Sequence, residues 1–168
     1  MAMLETLARI GLFILGAAGI GYALSSIIRT LVLPRAAGDL LVRITFVVVR
    51  RIFHVFAPLD VPYARLDRVM AMYGPVALLS CMAPWMLLIL LGYSLIYTGL
   101  GVTPFAEALR ESGSSLFTLG FAVPPNTATA FVAFSEAALG PLMIALLISY
   151  LPTIYSAFQR REAGVTML

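Results

Sequence analysis

The segment 115–125 reads SLFTLGFAVPP, and it separates two long apolar runs of the chain. Gly120 and the Pro124-Pro125 pair disfavour a continuous helix, because glycine loses much backbone entropy on folding and proline lacks a backbone donor. The part from Phe117 to Val123 is apolar apart from Thr118, which is poor chemistry for a solvated loop. The fold therefore depends on where this segment lies relative to the two runs.

The composition is that of an integral membrane protein. The chain has 168 residues, of which 61% are hydrophobic and 11% charged, and its mean hydropathy is +1.00. A soluble domain of this size exposes far more charge. The net charge is +3 and every basic residue is arginine, but the arginines flank apolar runs, so we expect no nucleic-acid partner. The single Cys81 lies in an apolar run and is expected to pack there.

Three apolar runs are long enough to cross the roughly 20-residue thickness of a hydrocarbon core. They are Ile10–Leu33, Val69–Leu100 and Thr127–Phe158. The first is expected to be a retained span within an N-terminal segment 1–34, since no small-residue cleavage site follows it. The sequence thus predicts an all-α membrane protein with three transmembrane helices and a short tail, 160–168.

The segment 35–68 between the first two spans has a different pattern. Asp39, Arg43, Arg50 and His54 fall within an arc of roughly 60° on a helix, with Arg51 at its edge, and the remaining residues are mostly apolar. This pattern predicts a helix in the headgroup plane, with the arginines and His54 at the membrane surface. A role for His54 in sensing pH is a less favoured alternative.

The positions of the arginines also predict an orientation. The connection 34–68 is rich in arginine, and Arg160 and Arg161 follow the third span. By the positive-inside rule these parts lie in the cytoplasm, so the N-terminus and the segment 101–126 lie outside, in a cell membrane.

The outer segment 101–126 contains a short helix signal. Thr103 is a candidate N-cap, Pro104 suits the first helical position, and Glu107 suits the first turn. A helix over 104–117 is too short to span but long enough to dip halfway into the bilayer. Two structures fit this pattern: a re-entrant helix followed by a carbonyl-lined filter, or a plain extracellular loop with an amphipathic helix.

A resemblance favours the re-entrant structure. The order of span, short helix, Phe117-Thr118-Leu119-Gly120-Phe121, proline and a glycine-bearing span resembles the pore module of the two-helix potassium-channel superfamily, whose filter reads Thr-Val-Gly-Tyr-Gly. The resemblance covers residues 69–159 and implies an outer helix 69–100, a pore helix 104–117, a filter 118–122 and an inner helix 127–159. It also implies a homotetramer in the bilayer that passes monovalent cations such as K+. The arginine-rich connection, Glu136 and the ending 150–161 resemble a bacterial subgroup with an extra N-terminal span.

The filter departs from the family pattern at its outer end. Ala122 stands where the family has its second glycine, and Val123 stands where it usually has aspartate. A Cβ in the left-handed conformation costs roughly 1–2 kcal/mol, and the loss of the carboxylate removes negative charge from the mouth. We therefore expect weakened potassium selectivity.

Two further features of the third span are candidates for function. A carboxylate such as Glu136 is expensive in a membrane unless it is paired or protonated. Three roles are open for it: a filter brace that accepts hydrogen bonds from Ser114, Ser115 or filter amides or pairs with Arg110, a pore-facing cation site, or a gating proton site. Gly140-Pro141 is either a packing bend or a gating hinge.

The function predicted from the sequence is a potassium-channel-like pore. The alternatives are a non-conducting membrane scaffold with the same architecture, or a pore for another ion. An enzyme is not expected, because the spans contain no catalytic set of residues, and no metal or cofactor other than a permeant cation is expected.

Overall fold

The computed structural model describes residues 1–31, 39–56, 73–74 and 76–165. These residues form no β-strand, and they fold into five helices with the bounds α1 Ala2–Leu31, α2 Leu40–Phe56, α3 Met82–Gly99, α4 Phe105–Leu116 and α5 Thr127–Val165. Residues 76–80 are also helical. The described part excludes residues 32–38, 57–72, 75 and 166–168, which include the end of the predicted segment 35–68 and the last residues of the predicted tail 160–168.

Three of the described helical stretches are long and apolar enough to cross a membrane. They run over Met3–Thr30, Val76–Gly99 and Thr127–Leu146. The prediction of an all-α protein with three such segments is confirmed at this level, and by helix length and composition the chain is a multi-pass membrane protein. The helix α2 is not among the three, as its 17 residues and its arginines suggest.

The chain divides into two compact units. The first comprises Met1–Ile28 and Trp85–Met143, and the second comprises Arg29–Pro84 and Ile144–Leu168. The first unit contains α4 and the segment that follows it, so it holds every predicted filter and brace residue.

In the first unit, α1 and α3 pack antiparallel through small residues. Gly16 and Gly92 let the two backbones approach so closely that a Cβ at Gly92 would lie 3.0 Å from the Gly16 carbonyl oxygen. At one end a Cβ at Gly99 would lie 2.8 Å from the Arg9 carbonyl oxygen, and at the other end the Trp85 indole donates to Ser26 Oγ at 2.8 Å. Close packing at small residues is the usual means by which membrane helices associate.

The ends of the helices in this unit are capped by local sequence. Gly101, at φ 100, ends α3: its amide donates to the Thr98 carbonyl, and the Val102 amide donates to the Tyr97 carbonyl. This is a Schellman motif, which satisfies carbonyls that a helix end leaves free. At the start of α5, Asn126 Oδ1 accepts the Thr129 amide at 2.9 Å, as an N-cap residue does.

One stripe of α5 faces the interior of the first unit. Thr129, Ala133, Glu136, Gly140 and Met143 are buried, at the spacing of one helix face. The short helix α4 packs against this stripe and against α3.

In the second unit, Asp39 is the N-cap residue of α2. The sequence pattern had placed this residue with the arginines on the polar face of the helix. The Asp39 side chain accepts the Leu41 amide at 3.1 Å. The inner face of α2 buries Thr45 and Val49, and the ring of Tyr73 stands edge-on to Phe46 at 6.1 Å and donates its hydroxyl to the Phe46 carbonyl.

Candidate functional site

The centre of the candidate site is Glu136, whose side chain is fully buried, with 0% of it exposed. Its carboxylate accepts hydrogen bonds from the Tyr97 hydroxyl at 3.1 Å and from the Ser112 hydroxyl at 2.5 Å. Ser112 Oγ also lies 3.0 Å from the Leu90 carbonyl oxygen, so its one proton serves one of the two acceptors at a time. Glu136 thereby connects α3, α4 and α5.

The partners of Glu136 are therefore Tyr97 and Ser112, whereas the sequence had suggested Ser114, Ser115 or Arg110. The reason is the rotation of α4. Ser112 lies on its buried face, while Arg110 lies on its exposed face and pairs with Glu107 at 3.0 Å. Within the chain, Glu136 lies at the junction of α3, α4 and α5 and is hydrogen-bonded to side chains of the other two helices.

A second carboxylate, that of Glu111, is buried on α4. Only 5% of the residue is exposed, and its Oε1 atom has no hydrogen-bond partner within the described part of the chain. Burial raises the pKa of Glu111 above its usual value, because the charged form loses hydration. The sequence analysis assigned no functional role to this residue.

Ser114 connects α4 to the segment that follows it. Its carbonyl oxygen accepts the Leu119 amide at 2.8 Å and lies 3.4 Å from the Gly120 amide. Its hydroxyl oxygen accepts the Ala122 amide at 3.0 Å. Because Ser114 is itself buried, these bonds hold the loop that follows α4, residues 117–126, against a buried residue of that helix.

The predicted filter begins with a helix cap. The Thr118 amide donates to the Ser115 carbonyl at 3.0 Å, and with the Leu119 bond to Ser114 this forms a second Schellman motif. Its left-handed position is occupied by Thr118, at φ 53. Glycine usually takes this position, and a β-branched residue there is strained by roughly 1–2 kcal/mol.

The outer part of the predicted filter does not continue the left-handed pattern. Gly120 has φ 72, but Ala122 is not among the described residues with positive φ. This agrees with the expected cost of a Cβ in that conformation. The left-handed backbone of Thr118 and Gly120 is thus not repeated at Ala122.

The loop and the adjacent face of α5 expose large apolar side chains in the single chain. Val123 is 85% exposed and Leu119 is 63% exposed. On α5, the rings of Phe131 and Phe134 are exposed and stand edge-on to each other at 6.3 Å. The other exposed apolar residues of the loop are Phe117 and Phe121.

Gly140 is the point where α4 meets α5. A Cβ at this position would collide with the Leu116 carbonyl oxygen and would lie 3.2 Å from the Leu116 carbonyl carbon. Leu116 is itself 1% exposed. The helix continues through Gly140 and Pro141, so Gly140 has a packing role whether or not it is also a hinge, which stays a prediction.

The remaining predicted residues lie as follows. Ser115 is half-buried, and its side chain neighbours the Tyr97 hydroxyl. Arg43, Arg50 and Arg51 are exposed on α2, and the side chain of His54 lies outside the described part. The described residues contain no group of three or more His, Cys, Asp or Glu side chains that could hold a metal ion.

Sequence reasoning did not single out Tyr97, Ser112 or Glu111, and it paired Ser114 with Glu136, whereas Ser114 binds the Ala122 amide. A signal was present in the α4 sequence FAEALRESGSSL, where polar residues recur at three- and four-residue spacing inside an apolar chain. That pattern indicates a polar face with internal partners.

Fold and site together define a multi-pass helical membrane protein with a short internal helix anchored to two of its spans. Comparison of the chain with protein-family models, with curated proteins and with solved structures yields no match. The function must therefore be inferred from the site itself.

Proposed function

We propose that four copies of this chain form a pore of the potassium-channel type, which conducts monovalent cations past the backbone of residues 118–122. In this proposal α4 is a re-entrant pore helix, α3 is the outer helix and α5 is the inner helix. The observation that carries the proposal is the contact between the end of α4 and Gly140.

The contact at Gly140 supports a re-entrant α4 through its depth. At 1.5 Å per residue, Gly140 lies roughly 20 Å along α5 from Thr127, and a hydrocarbon core is about 30 Å thick. The carbonyl of Leu116 meets α5 at that level, and the chain then returns to Asn126 at the start of α5. A plain extracellular loop would not reach so far along a span.

The chemistry of the loop supports a role in binding cations. The C-terminal end of a helix carries partial negative charge, and backbone carbonyls are the ligands that potassium filters use. The left-handed residues Thr118 and Gly120 alternate with Leu119, which is a means of turning successive carbonyls towards one side. Irregular backbone within a membrane is tolerated where it lines a water-filled cavity.

The exposed apolar surface supports an oligomer. Four phenylalanine rings are exposed in the single chain: those of Phe117 and Phe121 in the loop, and those of Phe131 and Phe134 next to it on α5. One chain supplies one filter segment, so an ion is surrounded only when several copies meet on an axis, and closed rotational symmetry is the usual arrangement. Four copies are proposed on the strength of the family resemblance.

The proposal includes the predicted orientation and an interfacial α2. The exposed surface of α2 carries Arg43, Arg50 and Arg51 beside exposed apolar residues, among them Ile44 and Val48. Such a surface suits the boundary between headgroups and acyl chains on the cytoplasmic side, with the N-terminus and α4 reached from outside.

Flux measurements on the purified protein in liposomes test the proposal. Cysteine is introduced at Leu119 or at Phe121 in a Cys81→Ala background, and a water-soluble thiol reagent is added. We expect the wild type to carry K+ and both variants to be blocked by the reagent. Leu87→Cys, at a site on α3 that is also exposed, is the matched control and should continue to conduct.

A non-conducting scaffold is the second candidate, and Ala122 favours it. Because Ala122 does not adopt a left-handed conformation, the outermost carbonyl ring of a potassium filter would be missing or turned aside. The scaffold predicts no flux in the wild type.

The double change Ala122→Gly with Val123→Asp separates the two candidates. Under the pore proposal it increases the preference for K+ over Na+, measured as a shift in reversal potential. A tetramer that conducts in neither form would identify the protein as a scaffold, and a monomer in the membrane would overturn both candidates.

A further inference from the structure

Beside the loop, α4 carries an exposed pair of opposite charges. Arg110 Nη1 lies 3.0 Å and 3.2 Å from the two carboxylate oxygens of Glu107. The Arg110 and Glu107 side chains are 62% and 51% exposed. An exposed pair of this kind contributes about 0–1 kcal/mol to stability, so the fold does not depend on it.

The same arginine contacts the predicted filter. The centre of its guanidinium lies 6.0 Å from the centroid of the Phe121 ring, at the outer limit of a cation–π contact. The sequence from Phe117 to Asn126 contains no charged residue. A positive charge held on α4 therefore stands next to a loop that has no charge of its own.

We propose that Arg110 determines how readily cations enter the outer end of the pore, and that Glu107 offsets its charge. This inference rests on the proposed pore function. In an assembly of four copies, four arginines stand beside the filter, each balanced by its own glutamate. Removal of either partner leaves a ring of four like charges, which attracts or repels cations according to its sign.

The two single variants have opposite effects on the entry of cations. Arg110→Gln leaves the Glu107 carboxylates unopposed, so the local concentration of K+ at the mouth rises. Glu107→Gln leaves the guanidiniums unopposed, so it falls. The double variant Glu107→Gln with Arg110→Gln restores neutrality, and Arg110→Lys retains the charge without the planar group.

Potassium flux into liposomes, measured at two ionic strengths, tests the inference. At about 10 mM ionic strength the Debye length is about 30 Å, and at about 1 M it is about 3 Å. We expect Arg110→Gln to raise the flux roughly threefold and Glu107→Gln to lower it roughly threefold at low ionic strength. At high ionic strength both variants should match the wild type, and the double and Arg110→Lys variants should match it throughout.

Arg9→Gln is the matched control, because Arg9 is an exposed arginine paired with Glu5 on α1. Its flux should remain that of the wild type at both ionic strengths. A change in Arg110→Gln that persists at high salt, or that Arg110→Lys shares, would mean that the side chain acts through packing on Phe121 and would overturn the inference.

Equal flux in all variants at both ionic strengths would also overturn the inference while leaving the pore proposal intact. Absence of flux in the wild type would overturn the inference and the pore proposal together.

Discussion

Substitution of Gly140 by alanine tests how α4 is held against the third span. In an unconstrained helix this change gains about 1 kcal/mol of stability, because alanine has the higher helix propensity. At Gly140 the added Cβ meets the backbone of Leu116, with the carbonyl carbon at 3.2 Å and the oxygen closer still. Backbone atoms cannot turn aside as a flexible side chain can, so α4 must retreat by about 1 Å to reach ordinary contact distances.

Three effects determine the change in the free energy of unfolding: the gain in helix propensity, the overpacking at Leu116 and a weaker bond between Ser112 and Glu136. Overpacking of this kind costs about 1–3 kcal/mol. A retreat of α4 also lengthens the bond from Ser112 to the buried Glu136, and a buried polar group left without its hydrogen bond costs about 1–3 kcal/mol. After subtraction of the gain in helix propensity, Gly140→Ala should lower the free energy of unfolding by roughly 1–5 kcal/mol.

Thermal unfolding in detergent, followed by tryptophan fluorescence, measures this change. Trp85 is the only tryptophan; it is 2% exposed and bonded to Ser26, so its emission reports on the first unit. Gly11→Ala is the matched control, because no atom lies within 4 Å of its added Cβ, and it should be neutral or stabilising. The reasoning is refuted if Gly140→Ala is as stable as Gly11→Ala. If flux is then also lost, a hinge role is the better explanation.

Three further predictions concern α4 and its partners. Glu136→Ala removes the acceptor of the Tyr97 hydroxyl, leaves Ser112 only the Leu90 carbonyl and opens a cavity, so it should lower stability by roughly 2–4 kcal/mol in the same unfolding assay. Glu136→Gln should cost clearly less, and equal losses would argue against a brace. Ser114→Ala removes the acceptor of the Ala122 amide and should lower ion selectivity, seen as a changed reversal potential, at a cost of about 1 kcal/mol; unchanged selectivity would contradict it. Burial raises the pKa of Glu111 from its usual value of 4.5, so the folded state favours the protonated form. The free energy of unfolding is therefore highest below pH 4.5, and it falls as the pH rises through the pKa of Glu111 in the folded state. Glu111→Gln should reduce this loss in unfolding curves taken across pH, and Glu107→Gln, at an exposed carboxylate, should not.

Local sequence predicted some helix boundaries closely and others poorly: α1 begins at Ala2, well before the predicted Ile10. The predicted helix 104–117 is observed as Phe105–Leu116, although Pro104 takes the N-cap position without a side-chain bond, where Thr103 had been expected. The predicted start of the third span at Thr127 is the observed one. Its helix extends to Val165, beyond the predicted end at residue 159, because no helix-breaking residue follows Phe158 before Gly164.

The class of the protein follows from the sequence alone. A membrane-spanning helix needs only sufficient length and apolar composition. Both can be read from consecutive residues of the sequence. The arginine stripe of α2 is equally local, because a helix places residues four and seven apart on one face whatever surrounds it.

The tertiary structure alone decided which residues form the candidate site. The spans are apolar on every side, so their sequences contain no periodic signal that shows which face of each helix points inward. The contacts of Glu136 with Tyr97 and Ser112 join residues 39 and 24 positions apart. They exist only because the close approaches at Gly92 and Gly140 set the rotation and depth of each helix, and that steric fit involves backbones that are remote in the chain.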